Sequence, residues 1–144
     1  MSTALLLGTF DVFHPGHVRL LKIAKSMVDE VIVGLNTDAF ILQYKGKLPV
    51  MTIDERTEML SSCRYVDKVE VNEGGYNSRL IIERINPEFL IHGDDWIGDA
   101  YLKQLGVTQD WLVARNITVV YLPYQTGYER ISSTLIKERI KLLN

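Results

Sequence analysis

Apolar residues are spaced in two alternating ways along the first part of the chain. Residues 4–7 form a short, fully apolar run that ends at Gly8, which indicates a buried strand. From Pro15 to residue 27 the apolar positions recur at spacings of three and four, which is typical of one helix face. Residues 30–36 form a second apolar run. This order predicts a βαβ unit with two parallel strands.

The rest of the chain repeats this alternation. Three further strands are predicted at residues 66–71, 88–91 and 117–122. Four further helices are predicted at residues 52–63, 77–85, 102–115 (with a break near Gly106) and 131–143. Ser132 or Ser133 is expected to cap the last helix. We therefore predict an α/β fold, a single Rossmann-like, doubly wound domain over residues 1–144 with a parallel sheet of about five strands.

This topology also predicts where a ligand binds. In doubly wound sheets, ligands lie outside the carboxyl ends of the strands, at the point where the strand order reverses. The segments that follow the predicted strands are residues 8–17, 36–47, 72–76, 92–96 and 123–133. The side chains that bind a ligand or take part in catalysis are therefore expected in these five segments.

Composition limits the classes of function. The 144 residues are 47% hydrophobic and 24% charged, which suits a globular domain, and the net charge of -2 argues against broad binding to nucleic acid. The single cysteine, Cys63, cannot form an intramolecular disulfide and is interpreted as a small core residue. No apolar run approaches the ~20 residues of a membrane span, and the N-terminus lacks a signal-peptide pattern. A cytoplasmic location is the default expectation.

The first loop, GTFDVFHPGH at residues 8–17, carries the strongest chemical signal. His14 and His17 enter the start of a helix, where unpaired N–H groups and a partial positive charge favour phosphate. Gly16 removes a side chain where a phosphate would approach, and the histidines can donate hydrogen bonds as negative charge develops. The alternative is that one histidine caps the helix while the other packs. The loop therefore predicts a phosphate site.

This loop, with its His-x-Gly-His core, resembles the signature of the nucleotidyltransferase superfamily that carries this motif. The resemblance is closer to the cytidylyltransferases, particularly to glycerol-3-phosphate cytidylyltransferases. Supporting stretches occur in the expected order at residues 45–56, 64–67, 93–96 and 131–134. The resemblance implies an enzyme that binds CTP with Mg²⁺. In that reaction a phosphate oxygen of the acceptor attacks the α-phosphorus while pyrophosphate leaves, without a covalent enzyme intermediate.

The resemblance also implies roles for individual residues. His14 and His17 match the transition-state donors, and Lys45 and Lys47 match lysines that hold the two phosphates together. Asp11 is the candidate to orient Mg²⁺, directly or through a water. The positions that match nucleotide-binding residues are Gly8, Thr9, Phe10, Asp11, Gly16, Arg64, His92, Gly93, Asp94, Asp95, Ile131, Ser132, Ser133 and Thr134. Trp96 and Tyr124, together with Lys45, are candidates for the acceptor side.

Several of these positions have structural alternatives. Lys45 and Lys47 could belong to a solvated basic loop, and Asp94 and Asp95 could cap a turn. Arg64 could pair with Asp67 instead of approaching the nucleotide. Arg56 is expected either to bind phosphate or to form a structural pair, Trp96 could simply pack, and the serines could act as ordinary helix caps.

Two departures from the family pattern leave the acceptor open. The strand before residue 131 exits through a longer loop, and Arg130 is expected to supply the guanidinium that the family carries earlier. Residues 99–115 are also longer than a minimal enzyme of this kind needs. The acceptor is expected to be glycerol 3-phosphate or a similar polyol phosphate, and a phosphonate or a phosphocholine- or phosphoethanolamine-type compound is the alternative. Alternatives are an ATP-dependent adenylyltransferase and a nucleotide-binding regulatory module. Most relatives are homodimers, so a homodimer is expected.

Overall fold

The computed structural model describes residues 1–94, 98–123 and 131–143. Its strands are β1 (Thr3–Gly8), β2 (Glu30–Asn36), β3 (Lys68–Asn72), β4 (Phe89–Gly93) and β5 (Thr118–Leu122). All four pairings between neighbouring strands are parallel, and the strand order is β3-β2-β1-β4-β5. The five-stranded, doubly wound α/β sheet expected from the sequence is confirmed. The order reverses between β1 and β4, which places the ligand crevice between their carboxyl ends.

The described residues form seven helices. These are α1 (Pro15–Met27), α2 (Asp38–Lys45), α3 (Ile53–Ser61), α4 (Arg79–Ile85), α5 (Asp99–Leu105), α6 (Gln109–Ala114) and α7 (Ser133–Leu142). Among the described residues, no helix is long and apolar enough to cross a membrane.

Alternation along β1 divides the core between the two faces of the sheet. Leu6 packs on one face with Leu21 and Ala24 of α1, and Leu5 and Leu7 pack on the other face against the residues of α4 and α5. Leu5 is fully buried and pairs with β2 on one side and β4 on the other. Because its side chains are covered on both faces, β1 is an almost continuous apolar run.

The structure differs from the predicted elements in three places. Helix α2 was not predicted, and the segment expected as one broken helix at residues 102–115 forms α5 and α6. The break falls at Gly106, whose φ of +72° ends α5 in the left-handed conformation. Strand β3 starts at Lys68, later than the predicted residue 66, and the Asp67 carboxylate just before it accepts a hydrogen bond from Val31 N–H at 2.7 Å. Cys63 is half-buried and packs against the core on the α1 face, in line with its expected role.

Candidate active site

A cavity of about 510 Å³ opens at the carboxyl edge of the sheet, within the size range of small-molecule sites. Its wall combines the segments after β1, β2 and β4 with the first turns of α7. The predicted site residues that line it are Gly8, Thr9, Phe10, Asp11, His17, Lys45, Lys47, His92, Gly93, Ser133 and Thr134. Most of the site predicted from sequence therefore comes together around one cavity.

The two histidines of the first loop form a reciprocal cap at the start of α1. The backbone N–H of Gly16 donates to His14 Nδ1 at 3.0 Å, and the backbone N–H of His14 donates to His17 Nδ1 at 3.2 Å. Their rings stack with centroids 3.7 Å apart. His17 lines the cavity, and His14 adjoins it through this stack. Capping and phosphate binding, which were alternatives at the sequence level, are compatible because capping uses Nδ1 of each ring.

Both imidazoles are neutral at pH 7. Burial, with a contribution from the Arg19 guanidinium, lowers the pKa of His14 to about 4. Burial and the neighbouring His14 lower the pKa of His17 to about 3, against an opposing effect of the Asp11 carboxylate. Since Nδ1 of each neutral ring accepts a hydrogen bond, the ring proton lies on Nε2. The pair therefore has its donor function on Nε2 without requiring a charge.

Gly16 gives the His14 ring the room it needs. A Cβ at this position would lie 2.8 Å from His14 Cε1 and 3.0 Å from its Nδ1. It would also lie 3.4 Å from Cγ2 of Ile131, which packs here just before α7. The absence of a side chain at residue 16 is thus required by the histidine cap.

The Asp11 carboxylate is held by backbone donors. Its Oδ1 accepts hydrogen bonds from the backbone N–H groups of Val12 at 3.1 Å and Met51 at 2.9 Å, and its Oδ2 accepts one from Val50 N–H at 2.8 Å. Burial alone would raise the pKa of Asp11, but these donors and the Lys137 ammonium outweigh it, so the pKa lies below its usual range. No group of three or more His, Cys, Asp or Glu side chains suited to a metal ion occurs in the described part of the chain. The expected role of Asp11 in orienting Mg²⁺, directly or through a water, stays a prediction, because these hydrogen bonds leave lone pairs on both carboxylate oxygens.

Within the described part of the chain, three ammonium groups line the cavity. Lys45 and Lys47 were expected, and Lys137 of α7 was not; it lies one helical turn after Ser133, which also lines the cavity. Burial, then repulsion from Lys137, lowers the pKa of Lys45. Asp11 Oδ2 lies 3.6 Å from Lys137 Nζ. A polyanion would relieve the mutual repulsion of these lysines, so this part of the cavity suits phosphates.

Arg56 has a structural role. Its side chain is fully buried and donates to the backbone oxygens of Met51, Thr9 and Asn36 at 3.1, 2.9 and 3.0 Å, and to the Asp38 carboxylate at 2.6 Å. The guanidinium thus joins the start of α3 to the loops after β1 and β2. The structural pairing considered at the sequence level is the role that the structure supports.

Arg64 is not brought to the cavity. It lies before β3, at the amino edge of the sheet, where its exposed guanidinium sits 5.7 Å from the Tyr65 ring centroid. Asp67 pairs with Lys25 at 2.8 Å, so the alternative Arg64–Asp67 pair is not formed either. Residues that precede a parallel strand lie at the edge opposite the ligand crevice, which explains why Arg64 does not reach the cavity.

The remaining predicted residues divide into three groups. His92 and Gly93 line the cavity at the end of β4, whereas Asp94 is exposed and donates its N–H to Leu122 O at 2.9 Å. Ser132 caps α7 by accepting from Leu135 N–H at 3.1 Å, which leaves Ser133 to face the cavity. The candidates that lie outside the described residues are Asp95, Trp96, Tyr124 and Arg130.

Uncharged side chains make up a further part of the described cavity lining. They come from α2, α5 and the residue before α4, and the sequence analysis did not single them out: Phe40, Tyr44, Ser78, Tyr101 and Gln104. The parallel rings of Phe40 and Tyr44 lie one helical turn apart on α2, with centroids at 5.8 Å. Cationic and uncharged side chains thus line the same cavity, which suits a ligand with one phosphorylated and one neutral part.

Comparison with known proteins agrees with this geometry. Residues 5–139 match the family model described as cytidylyltransferase-like. The glycerol-3-phosphate cytidylyltransferase of Bacillus subtilis (strain 168) is 36% identical over 141 residues, covering 97% of this chain and 98% of the relative. The FAD synthase of Pyrococcus horikoshii is 35% identical over 138 residues, covering 92% of this chain and 88% of the relative.

A solved structure shares the fold. The lipopolysaccharide core biosynthesis protein from Thermoplasma volcanium GSS1 superimposes with a TM-score of 0.66 at 23% identity, covering 90% of this chain and 99% of that one. The family match over nearly the whole length and the two curated relatives establish the relationship. The chain belongs to the cytidylyltransferase-like family of nucleotidyltransferases, whose members are enzymes.

Proposed function

We propose that this enzyme transfers the cytidylyl group of CTP to a small phosphorylated polyol such as glycerol 3-phosphate, giving a CDP-alcohol and pyrophosphate. The observation that carries the proposal is the convergence of the histidine cap, three lysines and the α7 N-terminus on one cavity. An oxygen of the acceptor phosphate bonds to the α-phosphorus of CTP as the bond between the α-phosphorus and the oxygen that bridges it to the β-phosphorus breaks, and that oxygen leaves with pyrophosphate. Such a reaction needs positioning and charge neutralisation more than a protein nucleophile.

The cavity residues divide these tasks. The Nε2–H groups of the neutral His14–His17 pair donate to oxygens on which charge develops. Lys45 and Lys47 offset the repulsion between acceptor phosphate and triphosphate. Ser133, Thr134 and Lys137 bind the departing pyrophosphate at the N-terminus of α7. Mg²⁺ typically retains waters and substrate phosphates as ligands, so it would enter the cavity with the triphosphate.

Charge favours a polyol phosphate over an acceptor with a cationic amine. Among the described residues that line the cavity, Asp11 is the single acid, and its oxygens already serve three backbone N–H groups and face Lys137. Gln104, Ser78 and Tyr44 offer uncharged hydrogen-bonding groups in the same cavity. These groups suit hydroxyls, whereas phosphoethanolamine or aminoethylphosphonate would bring an ammonium without a carboxylate partner.

ATP-dependent adenylyl transfer to a flavin phosphate is a second candidate. The 35% identity to an FAD synthase favours it, as do the Phe40 and Tyr44 rings that line the cavity and offer a surface for a planar ligand.

One assay separates these functions. Pyrophosphate release is measured with CTP or ATP against glycerol 3-phosphate, flavin mononucleotide, phosphocholine, phosphoethanolamine and 2-aminoethylphosphonate. We expect the highest kcat/KM for CTP with glycerol 3-phosphate. Turnover confined to ATP with flavin mononucleotide would replace this function with the second candidate. CTP binding without turnover of any acceptor would indicate a regulatory module.

A further inference from the structure

Asp11 lies where three cavity-forming segments meet. Its carboxylate contacts the loop of residues 46–51, here named the lysine loop, and its own loop after β1. Its backbone oxygen accepts a hydrogen bond of 2.6 Å from Ser133 Oγ on α7. We propose that Asp11 is a positioning residue that fixes the lysine loop against the histidine loop and so places Lys47 for phosphate binding. This inference rests on the proposed function of the same cavity.

The lysine loop depends on polar contacts for its position. Its Leu48 and Val50 side chains are 61% and 62% exposed, so apolar burial contributes little. The Asp11 carboxylate binds the N–H groups of both Val50 and Met51, at 2.8 and 2.9 Å. Arg56 holds the other side of the same peptide segment by donating to Met51 O. Charge-assisted hydrogen bonds of this kind are about twice as strong as neutral ones, so Asp11 is the principal anchor on the cavity side.

The anchor is itself held in an unusual conformation. Phe10 and Val12, on either side of Asp11, have φ values of +52° and +49°. A β-branched residue rarely adopts a positive φ, and such backbone persists only where surrounding contacts determine it. Val12 N–H donates to Asp11 Oδ1, and Arg56 donates to Thr9 O. Asp11 and Arg56, which bind the lysine loop, therefore also hold the strained turn that contains Asp11.

Helix α7 is tied to the same residue. None of its residues is fully buried, so its polar contacts with the β1 loop matter for its placement. The Ser133 hydrogen bond to Asp11 O is joined by Lys137 Nζ, 3.6 Å from Asp11 Oδ2. Asp11 thus sets the relative position of two cationic segments that a polyanion must contact together.

The negative charge of Asp11 and its hydrogen bonds have opposite effects on anion binding, which makes the proposal testable. Asp11→Asn removes a negative charge from the cavity, which by itself would tighten the binding of an anion. It also turns one acceptor oxygen into an amide donor that faces backbone N–H groups. If Asp11 positions the lysine loop, the second effect prevails. Weaker anion binding in the variant then cannot be attributed to charge.

The experiment measures inorganic pyrophosphate binding by calorimetry in wild type, Asp11→Asn, Lys47→Ala and the double variant. We expect each single variant to weaken binding about tenfold, the size of one lost charge-assisted contact. The double variant should bind pyrophosphate only slightly more weakly than either single variant, because Asp11→Asn alone already displaces Lys47. Hydrogen exchange at the Val50 and Met51 amides should accelerate in Asp11→Asn. A loss of about 100-fold in the affinity of the double variant, the product of the two single losses, would overturn the proposal. Unchanged hydrogen exchange at the Val50 and Met51 amides would overturn it as well.

Two further arms complete the test. Titrations with and without Mg²⁺ should show the same loss; a loss confined to the Mg²⁺ titration would make Asp11 a metal ligand instead. Asp110→Asn removes an exposed carboxylate from the first turn of α6 and should change neither binding nor exchange. Asp11→Ser, which keeps one acceptor oxygen, replaces Asp11→Asn if that variant does not fold. No turnover is needed, so failure of the proposed transfer reaction leaves this test intact.

Discussion

Each histidine of the first loop has two separate functions on its two ring nitrogens. Nδ1 of each ring accepts a backbone hydrogen bond that caps α1, so the neutral tautomer and the ring orientation are fixed by the fold. The low pKa values, about 4 for His14 and about 3 for His17, follow mainly from burial. A phosphate would therefore meet rigid neutral donors, which lose no orientation freedom when charge develops.

The pH dependence of stability tests this arrangement. As the pH drops through about 6.5, the unfolded chain binds protons at His14 and His17 and the folded chain does not. The free energy of unfolding therefore falls, by up to about 1.4 kcal/mol per pH unit for each of these two residues, until the folded pKa values are reached. Urea unfolding at pH 6.5 and pH 5 should differ by about 1.6 kcal/mol for each of the two residues, because half of the unfolded imidazoles are already protonated at pH 6.5. His17→Gln should remove about half of this difference; equal stabilities of the wild type at both pH values would contradict the low pKa values.

A second test at this scale is Gly16→Ala. Alanine would ordinarily favour a helix by about 1 kcal/mol over glycine. Here its Cβ would press on the His14 ring at 2.8 Å, and overpacking costs about 1–3 kcal/mol. We expect a net loss of stability and about 100-fold lower kcat, because the displaced ring no longer caps α1 or stacks on His17. Denaturant unfolding and steady-state kinetics measure both effects; a more stable, fully active variant would show that the ring has room to move.

At the level of elements, regular patterns were easier to predict than short helices. The alternation of apolar runs gave all five strands, and α1 was expected from its three-and-four spacing. Helix α2 was missed because its apolar residues are consecutive and it spans only Asp38–Lys45. Its end signals were nevertheless present: Thr37 accepts from Phe40 N–H as N-cap, and Gly46 ends the helix. These two capping signals, if used, would have predicted that Lys45 lies at the end of a helix and not in a loop.

Gly46 provides the prediction at this scale. Gly46 lies between the two lysines and ends α2 in the left-handed conformation, with a φ of +76°. A Cβ added there would meet no neighbouring group of the described residues within 4 Å. Gly46→Ala should therefore cost about 1 kcal/mol through backbone strain alone, and Gly46→Asn less, because asparagine tolerates this conformation. Thermal unfolding compares the three proteins. Equal stability of the alanine variant would mean that the turn between Lys45 and Lys47 adopts another conformation.

At the scale of the whole molecule, the order of the predicted elements indicated which segments would meet at the cavity. It did not indicate which helix residues would line the cavity, because packing brings them there. The crevice followed from the position of strand ends, so residues 8–17, Lys45, Lys47 and residues 92–93 were predicted to converge. Arg64 was misplaced because a motif match carries no information about which edge of the sheet a segment reaches. The uncharged lining residues, such as Gln104, were missed because they come from helices whose packing against the sheet is not encoded in any short motif.

The cavity is lined by positive charge although the chain as a whole is slightly negative. The chain has a net charge of -2, yet Lys45, Lys47 and Lys137 line the cavity. Lys137→Met keeps the bulk of the side chain but removes one charge. We expect the KM for the triphosphate to rise about tenfold, and the pKa of Lys45 to rise toward its ordinary value because a repelling neighbour is lost. The activity of the variant should also depend less on salt, since the Debye length falls from about 10 Å at 0.1 M to about 3 Å at 1 M.

Lys141→Met is the matched control, because Lys141 lies one turn further along α7 and is exposed. Both variants lower the net charge of the chain by the same amount. Long-range attraction of the triphosphate would therefore weaken equally in both, whereas a contact within the cavity would weaken only in Lys137→Met. Steady-state kinetics at low and high salt distinguish the two cases. Equal KM values for the two variants would mean that overall charge, and not the placement of Lys137 beside Asp11, attracts the triphosphate.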